Sequence, residues 1–278
     1  MSVRVAVVGI DGCGKSSIIA RLRRESVDRE IMPITCPDFH ETPNAPMYEL
    51  SRQLKAIGEA ADAVGNAVVK AATLYLRMTL YGPVEDFFLG TYRPGVLICE
   101  RHPLIETLVY GPVYRRLARA ARRRPDELET ILAAAEQRVP GARAGLRYWQ
   151  ALQGGRTGIG SDIWTVIDEV AGILDSGTAG AVPRLAEVYR TRLPDTVLWL
   201  DTPVEEAVRR LVERGGGREI HESARYLTGL REGYLGIGSE LQQHCPGVRF
   251  ERIANADADG SEEVIARCLA ATREPAAP

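Results

Sequence analysis

Within "VGIDGCGKSS", residues 8–17, Gly9, Gly14, Lys15 and Ser16 fit the spacing G-x-x-x-x-G-K-[ST]. That spacing suits polyphosphate. Backbone N–H groups from Gly12, Cys13, Gly14, Lys15, Ser16 and Ser17, at a glycine-rich turn opening a helix, converge on phosphate oxygens. The Lys15 ammonium follows the β- and γ-phosphates, and the Ser16 hydroxyl suits Mg²⁺. Lys15, Lys55 and Lys70 are the chain's three lysines among 35 basic residues, so a lysine at this position is informative.

Two further segments carry charge at positions where it can act. "GVLICERHP" is a buried-strand pattern ending in Glu100 and Arg101. In an open parallel sheet the ligand lies beyond the carboxyl ends of the strands, which directs this pair to the P-loop side. Glu100 can hold Mg²⁺ or its waters, or take a proton, and the Arg101 guanidinium can fork onto phosphate. "LDTPVEEAVRRLVERGGGREIHE" opens a helix after a strand, Thr202 and Glu205 having capping-box spacing with Pro203 at the first helical position. Arg210 and Arg214 then share a face, and three glycines precede Arg218. Arginines flanking a glycine hinge suit a lid over triphosphate, excluding water and stabilising transferred charge.

The elements that must position these groups follow from apolar patterning. Near-continuous apolar runs at Val3–Val8, Ile31–Thr35, Val96–Cys99, Val197–Leu200 and Val248–Ile253 alternate with long stretches of helical periodicity. This predicts an α/β fold, a P-loop NTPase-type doubly wound parallel sheet with flanking helices. No strand run is evident from Pro112 to Asp195, so the organisation expected is a core of residues 1–110 and 195–272, a helical insertion at 111–194 bordering the substrate, and a frayed tail at 273–278. "LQGGRTGIGSD" is expected to be a loop, with helices at Asp162–Leu174 and Pro183–Arg192. Apolar residues at 50, 54, 57, 61, 64, 68, 71, 75 and 78 form a heptad-like seam, suiting helices packed on the sheet or a helix-to-helix dimer contact. The arginines from 115 to 124 match a solvated helix face.

Taken together, "GIDGCGKSS", "LICERH" and "LWLDTPVEEAVRRLVERGGGRE…YLTGLREGYL" resemble the thymidylate kinases and, less closely, the deoxynucleoside kinases, over roughly residues 1–110 and 195–270. The resemblance implies a kinase using ATP and Mg²⁺, active as a homodimer. It matches Asp11 to an acidic P-loop residue that approaches the acceptor sugar, Glu100 and Arg101 to the Asp-Arg after the third strand, and Arg77 to a helix arginine facing the acceptor nucleotide. Arg210, Arg214 and Arg218 match the lid, and "RIANAD" near Ile253 matches the loop against adenine. The departures are equally specific. "CPDFHETPNAP" replaces the family's Arg-Glu-Pro-Gly-Gly segment, and Glu100-Arg101-His102 is closer to the Glu-Arg-Ser of nucleoside kinases.

The acceptor stays open between two chemistries. A phosphate monoester is already largely ionised near neutrality and needs cationic clamps, whereas a hydroxyl needs a proton acceptor. Arg77 and Arg101 suit the first, Asp38 and Glu100 the second, with Asp38 and Glu41 lying just beyond the second strand where nucleoside kinases keep a catalytic carboxylate. Composition narrows the partners to small molecules. With 45% hydrophobic residues, 26% charged residues and a net charge of -2, the chain has no global attraction to nucleic acid or membrane. Five dispersed cysteines without C-x-x-C spacing argue against a disulfide framework or a zinc site. Without a basic flank and apolar core at its start, the chain is expected in the cytoplasm.

Overall fold

The computed structural model describes residues 2–120, 124–213, 224–257 and 260–273. Its strands are β1 (Val3–Val8), β2 (Ile31–Thr35), β3 (Val96–Glu100), β4 (Thr196–Asp201) and β5 (Arg249–Ala254). In chain order the α-helices are α1 (Lys15–Glu25), α2 (Tyr48–Ala63), α3 (Ala67–Met78), α4 (Tyr81–Thr91), α5 (Pro103–Val109), α6 (Gly111–Ala120), α7 (Pro125–Arg138), α8 (Ala142–Thr157), α9 (Val166–Leu174), α10 (Gly177–Tyr189), α11 (Val204–Glu213), α12 (Ala224–His244) and α13 (Glu262–Arg273).

The five strands form one parallel sheet in the order β2-β3-β1-β4-β5. Val7 pairs with Glu100 on one side and Leu198 on the other, so the loops leaving β1, β3 and β4 share the carboxyl edge of the sheet. Every residue of β4 is buried, as are four of the five in β3, which is why these strands read as continuous apolar runs. Pro33 sits in β2, an edge strand, where its missing N–H interrupts no central ladder.

The chain divides into two compact units. The first, Met1–Thr35, Phe87–Val109 and Arg192–Pro278, holds the whole sheet. The second, Cys36–Asp86 and Tyr110–Thr191, is helical; residues 36–86 therefore belong with the segment that follows Val109. Here the seam of residues 50–78 packs differently from a helix-on-sheet arrangement. It breaks at Gly65, where φ is +73°, into α2 and α3, which pack on each other and on α7, α8, α6 and α9. Of the seam residues, Leu54, Ile57, Ala61, Tyr75 and Met78 are buried in that packing, while Val64 is exposed. The side chain of Asn66 caps α3 by accepting from the Val69 N–H at 3.0 Å.

The stretch expected as a loop around Gly154 and Gly155 is instead the last turn of α8, which ends at Gly158 in the left-handed region. The glycine at 154 answers to packing, because a Cβ there would lie 2.6 Å from that of Ser161. No helix among the described residues is long and apolar enough to cross a membrane.

Candidate functional site

In the sheet-bearing unit the P-loop leaves β1 through Gly9, Gly12 and Gly14, all at positive φ. Gly14 is the N-cap of α1 and makes no side-chain capping bond, so the first-turn N–H groups, including those of Ser16 and Ser17, are presented for an anion. Gly12 is also a point of close approach. A Cβ there would lie 2.5 Å from the Ala207 carbonyl oxygen of α11. Lys15 is buried, its ammonium donating to the carbonyls of Gly9 and Ile10 at 3.0 Å each and lying 3.6 Å from the Cys13 sulfur. Burial pushes the Cys13 thiol pKa up, against the neighbouring Lys15 and Arg101 charges, which keeps it an unreactive packing residue.

The Ser16 hydroxyl donates to Glu100 at 2.9 Å, joining the start of α1 to the end of β3. This is a hydroxyl and a carboxylate side by side, the hard oxygen donors that suit Mg²⁺. Arg101 has φ +61°, unusual for a side chain this large, and its N–H donates to the Val7 carbonyl at 3.1 Å, extending the β1–β3 ladder. Its guanidinium pairs with Asp11 through one terminal nitrogen and lies 3.5 Å from Glu106 through the other.

Arg210, expected to reach over the triphosphate, is instead buried in a tie between loops. It donates to the carbonyls of Gly12 at 3.2 Å and Ala256 at 2.6 Å, and to Glu206 at 2.7 Å. Arg214 and Arg218 lie outside the described residues. Thr202 likewise takes a different partner from the capping box, its hydroxyl donating to the Asn255 carbonyl at 2.8 Å. Asn255, in the "RIANAD" loop, donates through its side chain to the Cys13 carbonyl at 2.8 Å. The P-loop, the start of α11 and the loop after β5 are thereby one hydrogen-bonded structure. At the end of β4, burial acts to raise the Asp201 pKa, but hydrogen bonds from Arg231 and Arg252 outweigh it and hold the carboxyl below its ordinary range.

The helical unit carries the other expected site residues, Asp38 and Arg77, as a pair. Lys55 joins them, 3.3 Å from Asp38 and 3.1 Å from Glu41. Burial alone would raise the Asp38 pKa, but the Arg77 and Lys55 charges outweigh it and hold the carboxyl below its ordinary range. The His40 ring is 2.9 Å from the Ser51 hydroxyl. Asp38, His40 and Glu41 could gather round a cation, yet the Lys55 ammonium already sits against both carboxylates.

Sequence reasoning missed Glu106, Tyr234, Lys55 and the structural roles of Asn255 and Arg210. One signal was present for Glu106. It is the lone charge in α5, a helix buried along its whole length.

No family model matches the chain, and no curated protein matches its sequence. Among solved structures, 192 chains match. One is the thymidylate kinase from Candida albicans, with a TM-score of 0.53 and 16% identity, over 98% of this chain and 91% of that one. Sheet order, P-loop motif and this likeness agree: the chain has a thymidylate kinase-like fold.

Proposed function

We propose that the protein is an ATP- and Mg²⁺-dependent phosphotransferase that moves the γ-phosphate of ATP to a nucleoside monophosphate, a dTMP-like acceptor being the first choice. The observation that carries the reading is the β1–α1 junction, where Lys15 is held by loop carbonyls and Ser16 is bonded to Glu100. Gly12, Cys13, Gly14, Ser16 and Ser17 would bind phosphate through N–H groups, Lys15 would exchange its carbonyl partners for β- and γ-oxygens, and Ser16 with Glu100 would hold the metal. When bound, Mg²⁺ would neutralise phosphate charge. Arg101, set beside Asp11, would steady the transferred group.

The state of Asp38 supports the choice of a phosphate acceptor. A carboxylate neutralised by Arg77 and Lys55, with its pKa held down, is a weak proton acceptor at neutral pH, which disfavours a hydroxyl substrate. The same two cations suit the phosphate of a monophosphate, with Asp38 steadying them. A hydroxyl compound is the second reading, favoured by the presence of a carboxylate just after β2, in the position where nucleoside kinases keep their base. The proposal includes a homodimer, which rests on the resemblance, and a cytoplasmic location.

Coupled ATP consumption across nucleoside monophosphates, nucleosides and small alcohols tests it. Turnover confined to monophosphates, abolished in Lys15→Ala and weakened in Ser16→Ala with a higher Mg²⁺ requirement, is the expected result. Turnover of hydroxyl compounds alone would reverse the acceptor order. Unchanged turnover in Lys15→Ala would overturn the whole reading.

A further inference from the structure

Glu106 is a buried carboxylate next to the part of the chain best equipped to receive anions, where a stray negative charge would oppose phosphate. Its contacts show what its charge is used for. One oxygen lies 3.5 Å from Arg101, and the other accepts from the Tyr234 hydroxyl at 2.7 Å. The hydroxyl has one proton. The Gly9 carbonyl, 3.5 Å away, is too distant to compete for it, so the proton fixes the carboxylate. Tyr234 is itself immobilised in α12, 1% exposed and stacked on Trp199 at 6.0 Å and 19°.

The arrangement closes around the Arg101 guanidinium. Asp11 holds one terminal nitrogen and Glu106 faces the other, so two carboxylates from different elements fix both the plane and the direction of the fork. The left-handed backbone at Arg101 launches the side chain, and its N–H bond to Val7 anchors the launch point. We propose that Glu106, oriented by Tyr234, is a positioning residue that aims Arg101 at the phosphoryl group in transfer. The inference rests on the phosphotransfer reading above. Without Glu106 the guanidinium turns wholly to Asp11, and both groups are lost to the reaction together. Burial outweighs Arg101 and Tyr234 and leaves the Glu106 pKa raised, so the geometry of its two oxygens carries the assignment.

The test uses Glu106→Gln and Tyr234→Phe, both near-isosteric, alone and with Arg101→Lys. Readouts are kcat, KM for ATP, unfolding temperature and the side-chain Nε–H resonance of Arg101, assigned by its loss in Arg101→Lys. Each single variant is expected to lower kcat about tenfold with KM for ATP within about twofold, and to broaden the Arg101 resonance. Glu106→Gln should unfold at or above the wild-type temperature, and neither change should lower kcat further in the Arg101→Lys background. Equal kcat losses in both backgrounds, or an Arg101 resonance unaltered in both variants, would overturn the inference. Should the wild type phosphorylate no acceptor, the proposed function falls, and the resonance by itself decides whether Glu106 positions Arg101.

Discussion

Replacing Gly12 by alanine tests whether the P-loop is built against α11. Two separate costs apply. The backbone φ of +82° places an alanine in the left-handed region, which costs about 1–2 kcal/mol. The new Cβ would also meet the Ala207 carbonyl oxygen at 2.5 Å, with the Ala207 carbonyl carbon at 3.1 Å. Those are backbone atoms, so loop or helix must shift, and overpacking of this kind adds about 1–3 kcal/mol. Gly260 is the control in the same unit. Its φ of +73° carries the same conformational cost, but a Cβ there meets only side-chain carbons of Ile18, Ile265 and Val264 at 3.3–3.4 Å, which can yield. Urea unfolding should show Gly12→Ala losing about 2–5 kcal/mol and Gly260→Ala about 1–2 kcal/mol. Because Gly12 also supplies the carbonyl that Arg210 holds, the same displacement should weaken ATP at least about tenfold by calorimetry. Losses that agree within about 0.5 kcal/mol would refute the close-approach argument, because the contact with Ala207 would then carry no cost.

Two further measurements address the helical unit. Asp38→Asn should destabilise the protein by about 1–3 kcal/mol at pH 7, because Arg77 and Lys55 lose their shared carboxylate. The folded carboxyl titrates below the ordinary 3.8, so its stabilisation is complete above that value and disappears as pH falls through the lower folded value. Urea midpoints of wild type and variant should therefore begin to converge as pH falls below 3.8 and go on converging through the lower folded value; a gap that widens would contradict the pairing. Asn66→Ala removes both the cap on Val69 and a 2.9 Å donation to Glu127, and should cost about 0.5–2 kcal/mol, with Asn66→Ser recovering most of it. Equal losses for alanine and serine would show that the cap contributes nothing.

The sheet and the P-loop were legible because each rests on a strong local pattern. The five apolar runs became the five strands, with ends moved by a residue or so where Glu100 and Asp201 continue the ladder. The partners of the helices were not legible. A period of three and four states that Leu54, Ile57 and Ala61 are covered, and the same period would serve a sheet, a second chain or, as here, α3, α7 and α8. Arg210 shows the same limit for charge. Its position after an acidic first turn fits a lid arginine or a buried tie equally well, and the difference lies in the Gly12 and Ala256 carbonyls, contributed by distant segments. Glu106 and Tyr234 are separated by 128 residues, beyond any local motif.

The position of β1 at the middle of the sheet has a consequence for synthesis on the ribosome. β1 is completed on one side only when β4 emerges, and the Arg4 N–H bond to Asp195 spans 191 residues. Until then the apolar six-residue β1 keeps one row of backbone groups open, the condition under which nascent chains aggregate or recruit chaperones. Pairing over such separations slows folding, so maturation should wait for β4, with release truncated before Thr196 yielding insoluble product.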